Sequence, residues 1–170
     1  MLRTDRLTLR RWRPDDAGAL AALNADPEVM RYIGTGATLD RGLSDALLER
    51  IEREWDERGF GLWAVEEDGA VLGFCGLSVP AFLPQVLPAV EVGWRLRRDA
   101  WGRGVATEAA RVALAWGWEH VPDLREVLSI VHPANARSLA VCERLGMQPR
   151  ADRVHPVTRE RVRVLAVARP

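Results

Sequence analysis

Between residues 6 and 12 the chain alternates, with Leu7, Leu9 and Arg11 on one side and Thr8, Arg10 and Trp12 on the other, the pattern of a first β-strand. Pro14-Asp15-Asp16 then opens a helix that carries Ala17, Leu20, Ala21 and Leu23 and ends near Asn24. A second short helix starts at Asp26-Pro27 and stops at the Gly34-Thr35-Gly36 loop. Over residues 39–58 the apolar set Leu43, Leu47, Leu48, Ile51 and Trp55 has helical spacing, with Glu49/Arg53 and Glu54/Arg58 as i,i+4 pairs and Gly59 as the stop. The pattern then switches to period 2. Residues 60–65, Glu66-Glu67-Asp68-Gly69 and residues 71–77 read as a hairpin with an Asp-Gly turn.

After the proline-punctuated stretch VPAFLPQVLPAV comes a third strand at 90–96, with Val90, Val92, Trp94 and Leu96 on one side and Glu91, Gly93 and Arg95 on the other. The loop 99–104 leads into a helix from about Thr107 to His120, ended by Pro122; residues 126–131 form another strand. Residues 135–145 form a short helix stopped by Gly146, and strands around Arg153 and over 161–168 close the chain. These elements predict a single α+β domain spanning 1–170, without linker or internal repeat.

Composition supports a packed core. At 170 residues roughly 70% of the unfolded chain's surface can be buried, and 48% of the residues are apolar against 28% charged, which excludes a disordered or fibrous chain. Twenty-four basic and twenty-four acidic residues cancel, so no overall field gathers the molecule onto nucleic acid or a membrane surface. Every basic residue is arginine. Lysine Schiff-base chemistry and a Walker-type phosphate loop are thereby excluded. Cys75 and Cys142 lie far apart and His120, His132 and His155 share no ligand spacing with them, so no metal site is expected. The polar, Arg-rich opening carries no export signal, and the longest apolar stretch is broken by prolines, which reads as a cytoplasmic chain with no membrane contact.

Chemistry concentrates after the third strand. Gly102 and Gly104 uncover backbone amides, and the first turn of the next helix adds unpaired donors at the positive end of its dipole. A phosphate or pyrophosphate fits such a place, as does an ordinary strand-to-helix turn. A dinucleotide fold fits poorly, because its G-x-G-x-x-G follows the first strand whereas this loop comes late and has threonine at 107.

The same residues resemble the GNAT acetyltransferases, and within them the branch of the RimJ/RimL ribosomal-protein N-terminal acetyltransferases. Thr4-Asp5-Arg6-Leu7-Thr8-Leu9-Arg10, with Asp26-Pro27-Glu28-Val29 and Tyr32, is similar to that branch's opening. Glu91-Val92-Gly93-Trp94 followed by Trp101-Gly102-Arg103-Gly104-Val105-Ala106-Thr107-Glu108-Ala109 looks like its acetyl-CoA motif. Asn135-Ala136-Arg137-Ser138 with Glu143-Arg144-Leu145-Gly146-Met147 is similar to its second motif. The resemblance implies a twisted mixed sheet with helices on both faces, whose strands at 90–96 and 126–131 splay to hold acetyl-CoA. It implies that the backbone of Trp94, Arg95 and Leu96 pairs with pantetheine, and that amides of Arg103, Gly104, Val105, Ala106 and Thr107 receive the pyrophosphate. Arg97, Arg98 and Arg103 are candidates to neutralise phosphates, or members of a solvated charge run. The resemblance makes Asn135 a cofactor or product contact, and the residue also sits where an N-cap would; Ser138 and Cys142 share its helix face.

Where the family usually has tyrosine, the acid that protonates the departing thiolate, this chain has Cys142; Trp101 and Met147 also depart from the family pattern. Ser138 is left to hydrogen-bond the leaving sulfur, and Glu91 is the candidate base for the amine, acting through a water. The resemblance implies acetyl transfer to a primary amine, a protein N-terminus or a small molecule, by direct attack in a ternary complex. The alternative is a non-catalytic CoA-binding or sensing domain. The stretch 79–90 is expected either to line the acceptor cleft or to form a subunit contact in a homodimer.

Overall fold

The computed structural model describes residues 1–170. Strands β1 (Leu2–Arg3) and β2 (Thr8–Arg10) lead to helices α1 (Ala17–Asn24), α2 (Pro27–Met30) and α3 (Arg41–Arg58). Hairpin β3 (Leu62–Glu67) and β4 (Ala70–Ser78), then β5 (Glu91–Leu96), α4 (Val105–His120), β6 (Glu126–Val131) and α5 (Ala136–Arg144) follow. The chain closes with β7 (Gln148–Pro149), β8 (Arg153–Val154) and β9 (Arg161–Ala168). One sheet runs β1-β2-β3-β4-β5-β6-β9-β7, with β8 pairing to β9. All neighbours are antiparallel except β5 and β6.

That parallel pair decides the shape of the site. β4 and β5 pair over their whole length, whereas β5 and β6 share one register position, Glu91 with Leu128, and part beyond it. The sheet faces follow from pairing. Leu77 opposes Val92, and its Cδ1 would lie 2.5 Å from a Cβ on Gly117 of α4, so α4 covers that face closely. Ser78, Glu91, Phe74 and Arg95 point to the other face, where α1 and α3 lie.

Several boundaries differ from the sequence pattern, for identifiable reasons. The strand expected over 6–12 is β2, only three residues long, and its successive residues Leu9 and Arg10 are both buried, because Arg10 turns inward onto Asp16 at 2.6 Å and Glu66 at 2.8 Å. Asp16, expected in a helical first turn, belongs to a 3-10 turn in which it accepts from the Arg13 amide. Helix α2 is a single turn, capped by Asp26. Helix α4 starts at Val105 rather than Thr107, because Gly104 adopts a left-handed φ of 81° and caps it. Glu54 and Arg58 approach to 3.6 Å, while Glu49 and Arg53 form no ion pair.

Candidate active site

The parting of β5 from β6 opens a cleft of about 1710 Å³ that runs past the N-terminus of α4, the start of α5 and the cleft-facing side of α3. At one end sits the glycine loop. Gly102 and Gly104 have φ of 73° and 81°, which turns consecutive amides the same way. No amide from residue 102 to residue 107 donates to a protein acceptor; the first helical bond is Glu108 N–H to the Gly104 carbonyl at 3.0 Å. Glu108, the one acid in the first turn of α4, is tied off by Thr4 and by Arg6 at 2.8 Å, so its charge does not face the free amides unopposed. Unpaired donors at a helix N-terminus, with a space a larger residue would close, fit a pyrophosphate.

The gap itself is lined by unpaired strand backbone. Arg97 N–H donates to the Leu72 carbonyl, while Leu128 N–H reaches the Val90 carbonyl on the opposite edge. Antiparallel alternation then turns the N–H and C=O groups of Val92, Trp94 and Leu96 toward the gap and those of Arg95 toward β4. The Leu96 carbonyl already accepts from the Trp101 indole at 2.8 Å. An extended, amide-bearing arm such as pantetheine fits the free edge that begins at the Val92 carbonyl and continues through Trp94. Arg95 thus turns its side chain, not its backbone, toward the cleft, and Val92 enters a set in which the sequence had placed only its neighbours.

The arginines expected near the phosphates point elsewhere. Arg97 pairs with Asp99, Arg98 with Asp26 at 2.9 Å and Arg103 with Glu67 at 2.6 Å, and none of the three lines the cleft. The arginines on its wall are Arg6, Arg111 and Arg137 at this end, the last lying 4.6 Å over the Trp101 ring. In α5, Asn135 accepts from Ser138 N–H at 3.2 Å and so acts as the N-cap; both residues line the cleft, and Ser138 Oγ has no protein partner. Cys142, on the same helix face but deeper, is fully buried beside Ser129.

At the narrow end of the gap stands Glu91, which accepts from the Ser78 hydroxyl at 3.2 Å across the β4–β5 pair. Burial pushes this carboxyl up to about 7, against the Ser78 hydrogen bond and with help from nearby Glu54. Glu54 accepts from the Val79 amide at 2.8 Å and is itself raised by burial. A carboxyl poised near neutrality in a cleft can take up a proton at working pH. Ser78 and Glu54 escape a reading of the sequence because only the strand register and the crossing of α3 bring them to Glu91. The stretch 79–90 contributes Val79, Ala81 and Phe82 to the cleft wall, while Leu83 fills a separate small core with Leu128 and Val164.

Neither cysteine is placed as a nucleophile. Both are buried, and burial pushes both thiols above their usual range. Replacing Cys142 by alanine should therefore cost about 1 kcal/mol of stability by small-cavity formation and leave turnover within a factor of two or so. Chemical denaturation alongside steady-state rates checks both halves.

The comparisons agree with this geometry. A family model described as an acetyltransferase (GNAT) domain matches residues 6–148. The protein YkkB of Bacillus subtilis is 34% identical over 155 residues, covering 85% of this chain and 83% of that one. The N-acetyltransferase p20 of Bacillus licheniformis is 29% identical over 150 residues, covering 86% and 82%. An acetyltransferase from Agrobacterium tumefaciens superposes with a TM-score of 0.83 at 28% identity, covering 99% of this chain and 94% of that one. With a splayed parallel pair and a free amide cradle beside these likenesses, the chain belongs to the GNAT family and is an acetyl-CoA-dependent N-acetyltransferase.

Proposed function

We propose that the acceptor is a primary amine, the α-amine of a protein N-terminus or of a small molecule, and that it attacks the thioester directly in a ternary complex. The observation that carries this reading is Glu91, raised to about 7 at the point where β5 and β6 part. The amine nitrogen forms a bond to the acetyl carbon as the carbon–sulfur bond breaks. Glu91 takes the amine proton through a water, with Glu54 and Ser78 setting its basicity. Ser138 Oγ, free in the cleft, hydrogen-bonds the departing sulfur. A thiol of pKa near 8.5 leaves as thiolate at pH 7 for only about 2 kcal/mol, so a strong acid at position 142 is not required. Val92 and Trp94 orient the pantetheine arm, and amides 102–107 hold the phosphates.

Deprotonation selects among amines. An α-amine of pKa about 7.8 gives up its proton at pH 7 for roughly 1 kcal/mol, a lysine side chain near 10.4 for about 4.6. One carboxyl near 7 suits the first. The opening block and the two motifs support a place in the RimJ/RimL-like branch, and the polar, Arg-rich opening supports a cytoplasmic setting. In a panel assayed by free-thiol release and mass spectrometry, peptides with a free N-terminus should outrun N-blocked, lysine-bearing counterparts by at least about tenfold. Equal rates on the two series would refute the α-amine preference.

A further inference from the structure

The deepest unexplained group in the cleft is Arg95. Its guanidinium lies on the same face of β5 as Glu91, with Gly93 between them and open space where a Cβ at 93 would sit. It has no carboxylate partner, although its neighbours in sequence Arg97 and Arg98 both have one. Its one side-chain hydrogen bond runs from Nη1 to Asn24 Oδ1, and the ring of Phe74 stacks 5.0 Å beneath it. Nε is sealed from solvent without a partner, and Nη2 makes no hydrogen bond to protein. Asn24, which holds Nη1, is completely buried and is itself fixed by Ser44 of α3 at 3.1 Å. The charge is thus held rigidly, with Nη2 unused. Burial, with repulsion from Arg50, pulls this guanidinium down to about 10.

We propose that Arg95 reads a carboxylate on the acceptor, so that the enzyme selects amines carrying an acidic group a short distance from the nitrogen. Nη2, which makes no hydrogen bond to protein, is the nitrogen left to donate a charge-assisted hydrogen bond to a carboxylate. Arg50, on the cleft wall with no ion pair of its own, adds positive potential on the same side. Glu91 and Arg95 are four residues apart on one strand, roughly 13 Å between Cα atoms, and both line the cleft. An acceptor that spans that distance has its amine at Glu91 and its acid one or two peptide units away. This assignment rests on the amine-acceptor reading above for the Glu91 end, and on Arg95 alone for the acid end.

The test uses C-terminally amidated peptides, Ala-Glu-Ala against Ala-Gln-Ala and Ala-Ala-Glu against Ala-Ala-Gln, in calorimetric binding to the full chain with CoA present and in acetylation with acetyl-CoA. In at least one pair the glutamate peptide should bind and react about 10- to 100-fold better, expressed in Kd and KM rather than kcat, the usual worth of a charged hydrogen-bonded pair. Arg95→Met should erase the difference, while Arg95→Lys, which keeps the charge without the guanidinium held by Asn24, should retain part of it. Acetyl-CoA affinity should not change in either variant. If wild type fails to distinguish acid from amide in binding, or binds none of the peptides, the assignment falls whether or not the variants fold. It falls equally if a folded Arg95→Met keeps the preference. Glutamate-selective binding without acetylation would leave the carboxylate site standing and sink the amine-acceptor reading instead.

Discussion

Glu91→Gln lowers turnover by about 10²-fold or more and leaves acetyl-CoA affinity unchanged, because glutamine keeps the shape and the contact with Ser78 but accepts no proton. In the wild type the rate falls as pH drops through about 7, where Glu91 becomes protonated. The variant loses that inflection and keeps only the dependence of the acceptor amine. The same shift has a consequence for stability. Glu91 titrates near 4.5 in the unfolded chain and about 7 in the fold, so between those values the folded state holds the extra proton. Wild-type stability therefore declines as pH rises from about 4.5 to 7, whereas the glutamine variant is spared that decline, gains on wild type across this window and holds the gain above it. Melting temperatures across that window read the crossover. A Glu91→Gln enzyme with full turnover would remove Glu91 from the chemistry.

Gly104→Glu abolishes acetyl-CoA binding. The new carboxylate stands where amides 102–107 converge on an anion, and it repels the pyrophosphate. Its Cβ meets nothing nearer than Arg6 Nη2 at 3.6 Å, so there is room for it. The left-handed φ of 81° costs about 1–2 kcal/mol, which a domain of ordinary stability withstands. Gly104→Ala shares the strain without the charge and should weaken binding only modestly. Wild-type affinity in a folded Gly104→Glu protein would mean that the phosphates lie elsewhere.

The strongest periodic signals reappear in the fold: the apolar stripe of α3 at Leu47, Ile51 and Trp55, although Leu43 is exposed and Ser44 is buried instead, the Asp68-Gly69 turn of the β3–β4 hairpin, the N-cap at Asn135 and the stop at Gly146. These are local, set by residues within a turn or two of one another. What the sequence could not convey was direction. Whether Arg97, Arg98 and Arg103 face the cradle or their own acidic neighbours depends on rotamers that Asp99, Asp26 and Glu67 decide, two of them far along the chain. Backbone alternation along β5 distinguishes Val92 and Trp94 from Arg95, and that depends on register with β4. Glu54 looked like half of a solvated helix pair because nothing local shows α3 crossing beside β5. Arg95 looked like one more charge in an Arg-rich segment, and only the fold gives it a buried amide partner and an aromatic floor.

The central claim is that acetyl passes straight from the thioester to the amine across the cleft, with no acyl-enzyme on either buried cysteine. Initial rates over a matrix of acetyl-CoA and acceptor concentrations test it most directly. Intersecting double-reciprocal lines, with no labelled protein recovered from acetyl-labelled CoA in the absence of acceptor, are the predicted result. Parallel lines with a covalently acetylated chain would contradict it.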